Sequence, residues 1–131
     1  MRTEPIGAFC HWSAGAEIVE IAYSRHGLRL LIGRAQESEA FVEVFFQYPR
    51  AFQVMDEGDM LAFWHEGGLE QGYFVFKVLE GGWASRVSDN FLQTTLAVGI
   101  PPYEEWLIAT SMLCASVISP QTPLVRLFSG E

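Results

Sequence analysis

The sequence predicts an α+β domain: an antiparallel β-sheet of about five to seven strands with one main helix, residues 56–66, packed on one face. Three observations lead to that class. Apolar and polar residues alternate with a period of two in several runs, the mark of half-buried strands. Short polar or glycine- and proline-bearing segments separate the runs, without the strand–helix–strand alternation that a parallel sheet requires. One acidic stretch, "MDEGDMLAFWHEGG", carries helix signals instead.

The first run, "AEIVEIAYS" (residues 16–24), places Val19, Ile21 and Tyr23 on one face and Glu20, Ala22 and Ser24 on the other. His26-Gly27 then suits a two-residue hairpin turn, with glycine supplying a positive φ. Leu28, Leu30 and Ile32 continue the buried face in a second strand, and "AQESEA" is a polar loop. In "FVEVFFQYP", Val42, Val44, Phe46 and Tyr48 oppose Phe41, Glu43, Phe45 and Gln47. Pro49 ends this third strand, because proline cannot donate to a ladder.

The helix is expected to begin at Asp56, whose carboxylate can accept from the first-turn amides, with Asp59 at the reciprocal capping position. Negative charge there also suits the helix dipole. Met60, Phe63 and Trp64 share one apolar side, and Gly67-Gly68 supplies the stop. A calcium-loop reading of the same acids fails, because positions 3 and 12 counted from Asp56 are Gly58 and Gly67. Nothing in the sequence sets a scissile bond between Asp56 and Asp59 as a catalytic pair.

"GYFVFKVLEGG" is a fourth strand, with Phe74, Phe76 and Val78 facing one way and Tyr73, Val75, Lys77 and Leu79 the other. Residues 83–98 fit either a turn plus strand or a short helix. "PPYEEW" is expected to be a loop, "WLIATSMLCASVIS" two strands or one long bent strand, and "PLVRLF" a short final strand.

The totals bound the function. A chain of 131 residues, half of them hydrophobic, suits one globular domain over residues 1–131. Sixteen acids against eight bases give a formal charge of −8, and no basic patch interrupts it, which argues against nucleic-acid binding. The uncharged segment from Trp106 to Val125 is broken by serine, threonine and proline, so its apolar part is too short to span a membrane. "MRTEPIGAFCHW" lacks a basic stretch followed by an apolar run, and a cytoplasmic location is expected. Cys10 and Cys114 are too few to make a disulfide scaffold.

Candidate chemistry is sparse. His11, His26 and His65 have no metal-ligand spacing. Cys10 and His11 are sequence neighbours, which on a strand point to opposite faces. No catalytic residue, metal or cofactor is implied. Arg50, just after Pro49 and close in sequence to Asp59, suits either an ion pair tying strand to helix or a clamp for a carboxylate. Tyr103, Glu104, Glu105 and Trp106 combine aromatic and acidic groups suited to a basic protein partner, if their loop is exposed; otherwise the aromatics fold back on the core.

"YPRAFQVMDEGDMLAFW" followed by "GYFVFKVLEGGW" resembles a pattern found in small uncharacterised bacterial single-domain proteins. The resemblance implies no activity and no site residues. By analogy of general shape, some small acidic bacterial proteins act as immunity proteins to toxins. The leading expectation is therefore a non-enzymatic cytoplasmic protein-binding domain, immunity-like in one form. The alternative is a small-molecule binder or enzyme whose pocket, between sheet and helix, uses Arg50 and Asp59. A homodimer is also expected, since a helix of about eleven residues is roughly 16 Å long and covers only part of one sheet face. That leaves apolar positions such as Phe41 and Phe45 in need of a cover.

Protein purified without chelator should carry less than about one-tenth of an equivalent of zinc or calcium, because a true structural site would be filled. Elemental analysis checks this, and a stoichiometric metal overturns it.

Overall fold

Alternation carries residues 16–46 into three antiparallel strands, but the rest of the chain departs from the expected plan. In a computed structural model, which describes residues 2–6, 16–34, 37–56, 72–83 and 104–129, the protein is built from two antiparallel sheets. The strands are β1 (Arg2–Pro5), β2 (Ala16–Ser24), β3 (Gly27–Arg34), β4 (Glu37–Phe46) and β5 (Ala51–Asp56). They continue with β6 (Val75–Glu80), β7 (Glu104–Ala109), β8 (Leu113–Ser119) and β9 (Leu124–Ser129). The larger sheet has the order β1-β6-β7-β8-β5 and the smaller one β2-β3-β4-β9. Consecutive strands change sheet three times, between β1 and β2, between β4 and β5 and between β8 and β9.

The α+β expectation is overturned: no helix occurs among the described residues. Asp56, expected to cap one, is the last residue of β5 and lies opposite Leu113 of β8. Residues 57–66, with Asp59 among them, lie outside the described residues. The physical reason at Asp56 is pairing. Residues 51–56 form a ladder with β8 from Ala51↔Ile118 to Asp56↔Leu113, and this tertiary partner makes Asp56 a strand residue. Two other expectations shift: β4 begins inside the supposed loop, and Glu104–Trp106 of "PPYEEW" belong to β7. "WLIATSMLCASVIS" forms two strands, one of its two expected readings, turning at residues 110–112.

The inner faces of the two sheets form one core. Leu28, Leu30, Ile32, Val42, Val44 and Phe46 of the smaller sheet join Val75, Trp106, Ile108, Ala115 and Val117 of the larger. A fully buried side chain of this kind contributes roughly 1.5–3 kcal/mol. The larger sheet is also buried on its other face, where Phe76, Leu107 and Cys114 form a second cluster with Met55, Tyr73, Val78 and Ala109 against it. A sheet buried on both sides needs apolar residues at consecutive positions. Hence "EWLIA" and "LCASVIS" show no alternation.

Local devices set the registers. In β2, pairing shifts between Ile18↔Ile32 and Glu20↔Leu31, so Val19 is the extra residue of a bulge and is 51% exposed rather than inward-facing. Pro5 ends β1, an edge strand, where a missing N–H is tolerated. The β7–β8 turn is closed by the Thr110 hydroxyl donating to the Leu113 carbonyl at 2.6 Å. Its tip reaches the other sheet, where the Ser111 N–H donates to the Ala16 carbonyl at 3.0 Å.

Gly27 is the tightest backbone position. It opens β3 after a turn at Arg25 and His26, one place earlier than the expected His26-Gly27, with φ of 135°. A Cβ there would lie 2.4 Å from the Phe46 carbonyl oxygen and 2.9 Å from the Phe45 ring. Gly27→Ala should therefore lower the unfolding free energy by about 1–3 kcal/mol or more. Met112→Ala, on the β7–β8 turn and 65% exposed, should stay within about 0.5 kcal/mol. Denaturant melts compare the two, and equal midpoints would refute the strain at Gly27.

Candidate functional site

Where the chain leaves β4 it must cross from one sheet to the other before β5 begins, and residues 47–50 make that crossing. The segment is short and ends on a fixed point: the Arg50 backbone N–H donates to the Ile118 carbonyl of β8 at 2.7 Å. Proline at 49 holds its own φ and so limits how the crossing can bend. Arg50 is thereby placed at the start of the edge strand of the larger sheet.

Two aromatic rings meet beside it. Tyr23, near the end of β2, and Phe52 of β5 have ring centroids 5.5 Å apart, with planes inclined at 42°. This separation and tilt suit the attraction between the edge of one ring and the face of another. Tyr23 shares the inward parity of Ile21 but lies at the sheet margin and is 64% exposed.

A third aromatic comes from the far side of the larger sheet. After β6 the chain turns through Gly81, with φ of 74°, and Gly82 to reach Trp83. The Trp83 backbone N–H donates to Glu105 Oε2 at 2.8 Å. The turn lies tight on that carboxylate, since a Cβ on Gly82 would come within 2.4 Å of Glu105 Oε2 and 2.7 Å of Val78 Cγ1. Glu105 is buried, so its charge depends on such donors, and Trp83 is held in place in return.

Together these elements enclose an open cleft of about 500 Å³, lined by Tyr23, Pro49, Arg50, Ala51, Phe52 and Trp83. The lining offers aromatic faces, a rigid ring and one guanidinium group. That set stacks planar or apolar groups and pairs with carboxylates. Among the described residues, no group of three or more His, Cys, Asp or Glu is placed to hold a metal ion.

The residues singled out from the sequence are only partly brought together. Arg50 lies in the cleft. Asp59 and Tyr103 lie outside the described residues. Glu104, Glu105 and Trp106 are strand residues of β7, not an exposed acidic and aromatic loop, and alternation sends them to different faces. Glu104 pairs with Lys77 at 3.1 Å. Trp106 is 2% exposed in the core, with the Lys77 ammonium 5.9 Å from its ring centroid. Glu105 turns the other way, toward Trp83. Tyr23, Phe52 and Trp83 are absent from the sequence-based set. A tyrosine closing a strand at a hairpin, and a tryptophan directly after a diglycine turn, are the only sequence signals that favour them.

No protein-family model, no curated protein and no solved structure matches the chain. No helix among the described residues is long and apolar enough to cross a membrane.

Because Glu105 holds the Trp83 amide from a buried position, Glu105→Ala should cost about 1–3 kcal/mol, the range for leaving a buried donor without its acceptor. The specific readout is hydrogen exchange at the Trp83 amide, which should lose its protection. Retained protection would show that Glu105 does not position Trp83.

Proposed function

We propose that this protein is a binding domain whose recognition surface is the cleft around Arg50, and that it takes a short segment of another protein. The observation that carries the reading is the convergence of Tyr23, Phe52, Trp83 and Pro49 on a cleft holding a guanidinium group. Aromatic side chains and arginine dominate binding energy at protein interfaces, because they bring large contact area at small cost in conformational entropy. Grooves lined by aromatic rings also dock extended, proline-bearing segments. Two backbone anchors, Arg50 to Ile118 and Trp83 to Glu105, support a surface formed before the ligand arrives.

The favoured ligand is a segment with a proline or aromatic side chain next to a carboxylate. The carboxylate pairs with Arg50 and the ring packs against the cleft aromatics. The former case for a basic partner rested on Glu104 and Glu105 lying on an exposed loop, and both acids are engaged within the fold. A second reading, a free aromatic acid as ligand, is favoured by the volume of about 500 Å³, which is within the range of small-molecule sites.

Selection from a random peptide library should enrich sequences with proline or an aromatic residue beside Asp or Glu. Affinity of the enriched peptides should fall about tenfold or more in Arg50→Ala, since a hydrogen bond to a charged group contributes roughly 1.5–3 kcal/mol. Enriched peptides indifferent to both Arg50→Ala and Trp83→Ala would sink the proposal. Benzoate titrated into labelled protein separates the two readings. If benzoate moves the Trp83 resonances while no peptide is enriched, the small-molecule reading stands.

A further inference from the structure

The outer face of the smaller sheet carries a row of charges that crosses all its strands. Glu20 of β2, Leu31 of β3, Glu43 of β4 and Arg126 of β9 lie side by side in register. Arg29 of β3, two residues along its strand from Leu31 and on the same face, reaches back into the row. It pairs with Glu20 on one side and approaches Glu43 Oε2 at 3.6 Å on the other. Arg126 donates to Glu43 Oε1 at 2.6 Å. From β2 to β9 the row therefore runs negative, positive, negative, positive. Apolar groups flank it: Leu31, Phe41 and Phe45 are half-buried, while Val19 is 51% and Leu124 64% exposed.

Such a row has a symmetry property. An alternating row of even length changes sign at every position when it is turned end for end. Consider two copies of the sheet facing each other across a two-fold axis that runs parallel to the strands and passes between β3 and β4. Glu20 of one copy then faces Arg126 of the other, and Arg29 faces Glu43. A two-fold axis along the row instead sets Glu20 against Glu20 and Arg126 against Arg126, which like-charge repulsion disfavours. A shift by one strand also opposes like charges. The row thus selects one orientation and one register, and its flanking apolar groups supply area to bury.

We infer that the protein forms a two-fold homodimer through this face, with the row Glu20, Arg29, Glu43 and Arg126 pairing against its own reversed copy. The inference is independent of the cleft, because none of these residues lines it. Two-fold pairing of one self-complementary patch is the commonest form of homo-oligomer. Four strands about 4.8 Å apart and roughly 27 Å long give a face of about 500 Å² per copy, or about 1,000 Å² in total. That is the low end for specific interfaces, so the dimer dissociates on dilution through the micromolar range.

The test uses two single substitutions at exposed side chains, Glu20→Arg (48% exposed) and Arg126→Glu (67% exposed). In each variant alone, positions 20 and 126 meet with like charge across the axis. In an equimolar mixture, every cross-axis pair is again opposite. Light scattering should show wild type rising from one chain mass toward two with concentration. Each variant alone should stay near one chain mass, and the mixture should regain the dimer. Circular dichroism establishes that both variants fold. Leu124→Asp, which adds a charge to the exposed apolar flank, gives a separate arm and should also remain a single chain. Wild type that stays monomeric at high micromolar concentration overturns the inference. So does a mixture that fails to associate, or a dimer indifferent to Leu124→Asp.

Discussion

Burial of two sheet faces against one another is the constraint on which the rest of the structure depends. The side chains that meet there come from strands far apart in sequence, and consecutive strands change sheet three times. Each passage sets the local geometry around it. Between β4 and β5 only residues 47–50 are available, and the Arg50–Ile118 backbone bond ends the crossing at once on the edge of the larger sheet. Tyr23 and Phe52 meet at the same margin, one from each sheet. The cleft is therefore a by-product of joining two layers with a short connection.

The smaller sheet was legible in the sequence because one of its faces is buried and the other is largely not. Leu28, Leu30 and Ile32, then Val42, Val44 and Phe46, alternate with outward residues, and all six are at most 1% exposed. The larger sheet was harder to read for a physical reason. Phe76 and Leu107 pack on one side while Val75, Trp106 and Ile108 pack on the other, so no period of two survives. Without that period, loop and strand look alike, so Glu104, Glu105 and Trp106 read as part of a loop. Asp56 misled differently. Its capping signal is real as local chemistry, but its own backbone belongs to a strand paired with β8. Of the site, Arg50 was visible through its position after Pro49. Tyr23, Phe52 and Trp83 converge only through sheet pairing, which sequence neighbours do not reveal.

The two buried carboxylates among the described residues illustrate how an acidic chain places charge within a β fold. Glu43 and Glu105 are each 6% exposed, and an isolated buried carboxylate would be costly. They are accommodated in different ways. Glu43 lies between two arginines from neighbouring strands, Arg29 and Arg126, so its partners tie β3 and β9 to β4. Glu105 accepts a backbone N–H from a turn that glycine allows to approach closely. The first arrangement locks strand order by charge, while the second fastens a loop to a sheet.

These two solutions explain why the molecule has two kinds of surface. A carboxylate paired between guanidinium groups on a pleated sheet produces a regular row, because strand spacing repeats and side chains alternate. Regularity is what allows such a row to match a copy of itself. A carboxylate that captures an amide from an irregular turn produces the opposite: one aromatic side chain fixed at one place, with no repeat and no symmetry. Trp83, held in this way, faces a margin where Tyr23, Phe52 and Arg50 are likewise set by singular events: a hairpin end, an edge strand and a crossing. A surface assembled from unrepeated elements carries no such alternating register, and its aromatic rings and single guanidinium group are a different chemistry from the charged row. Repetition along the smaller sheet and irregularity at its junction with the larger one thus give the molecule two surfaces of different kinds.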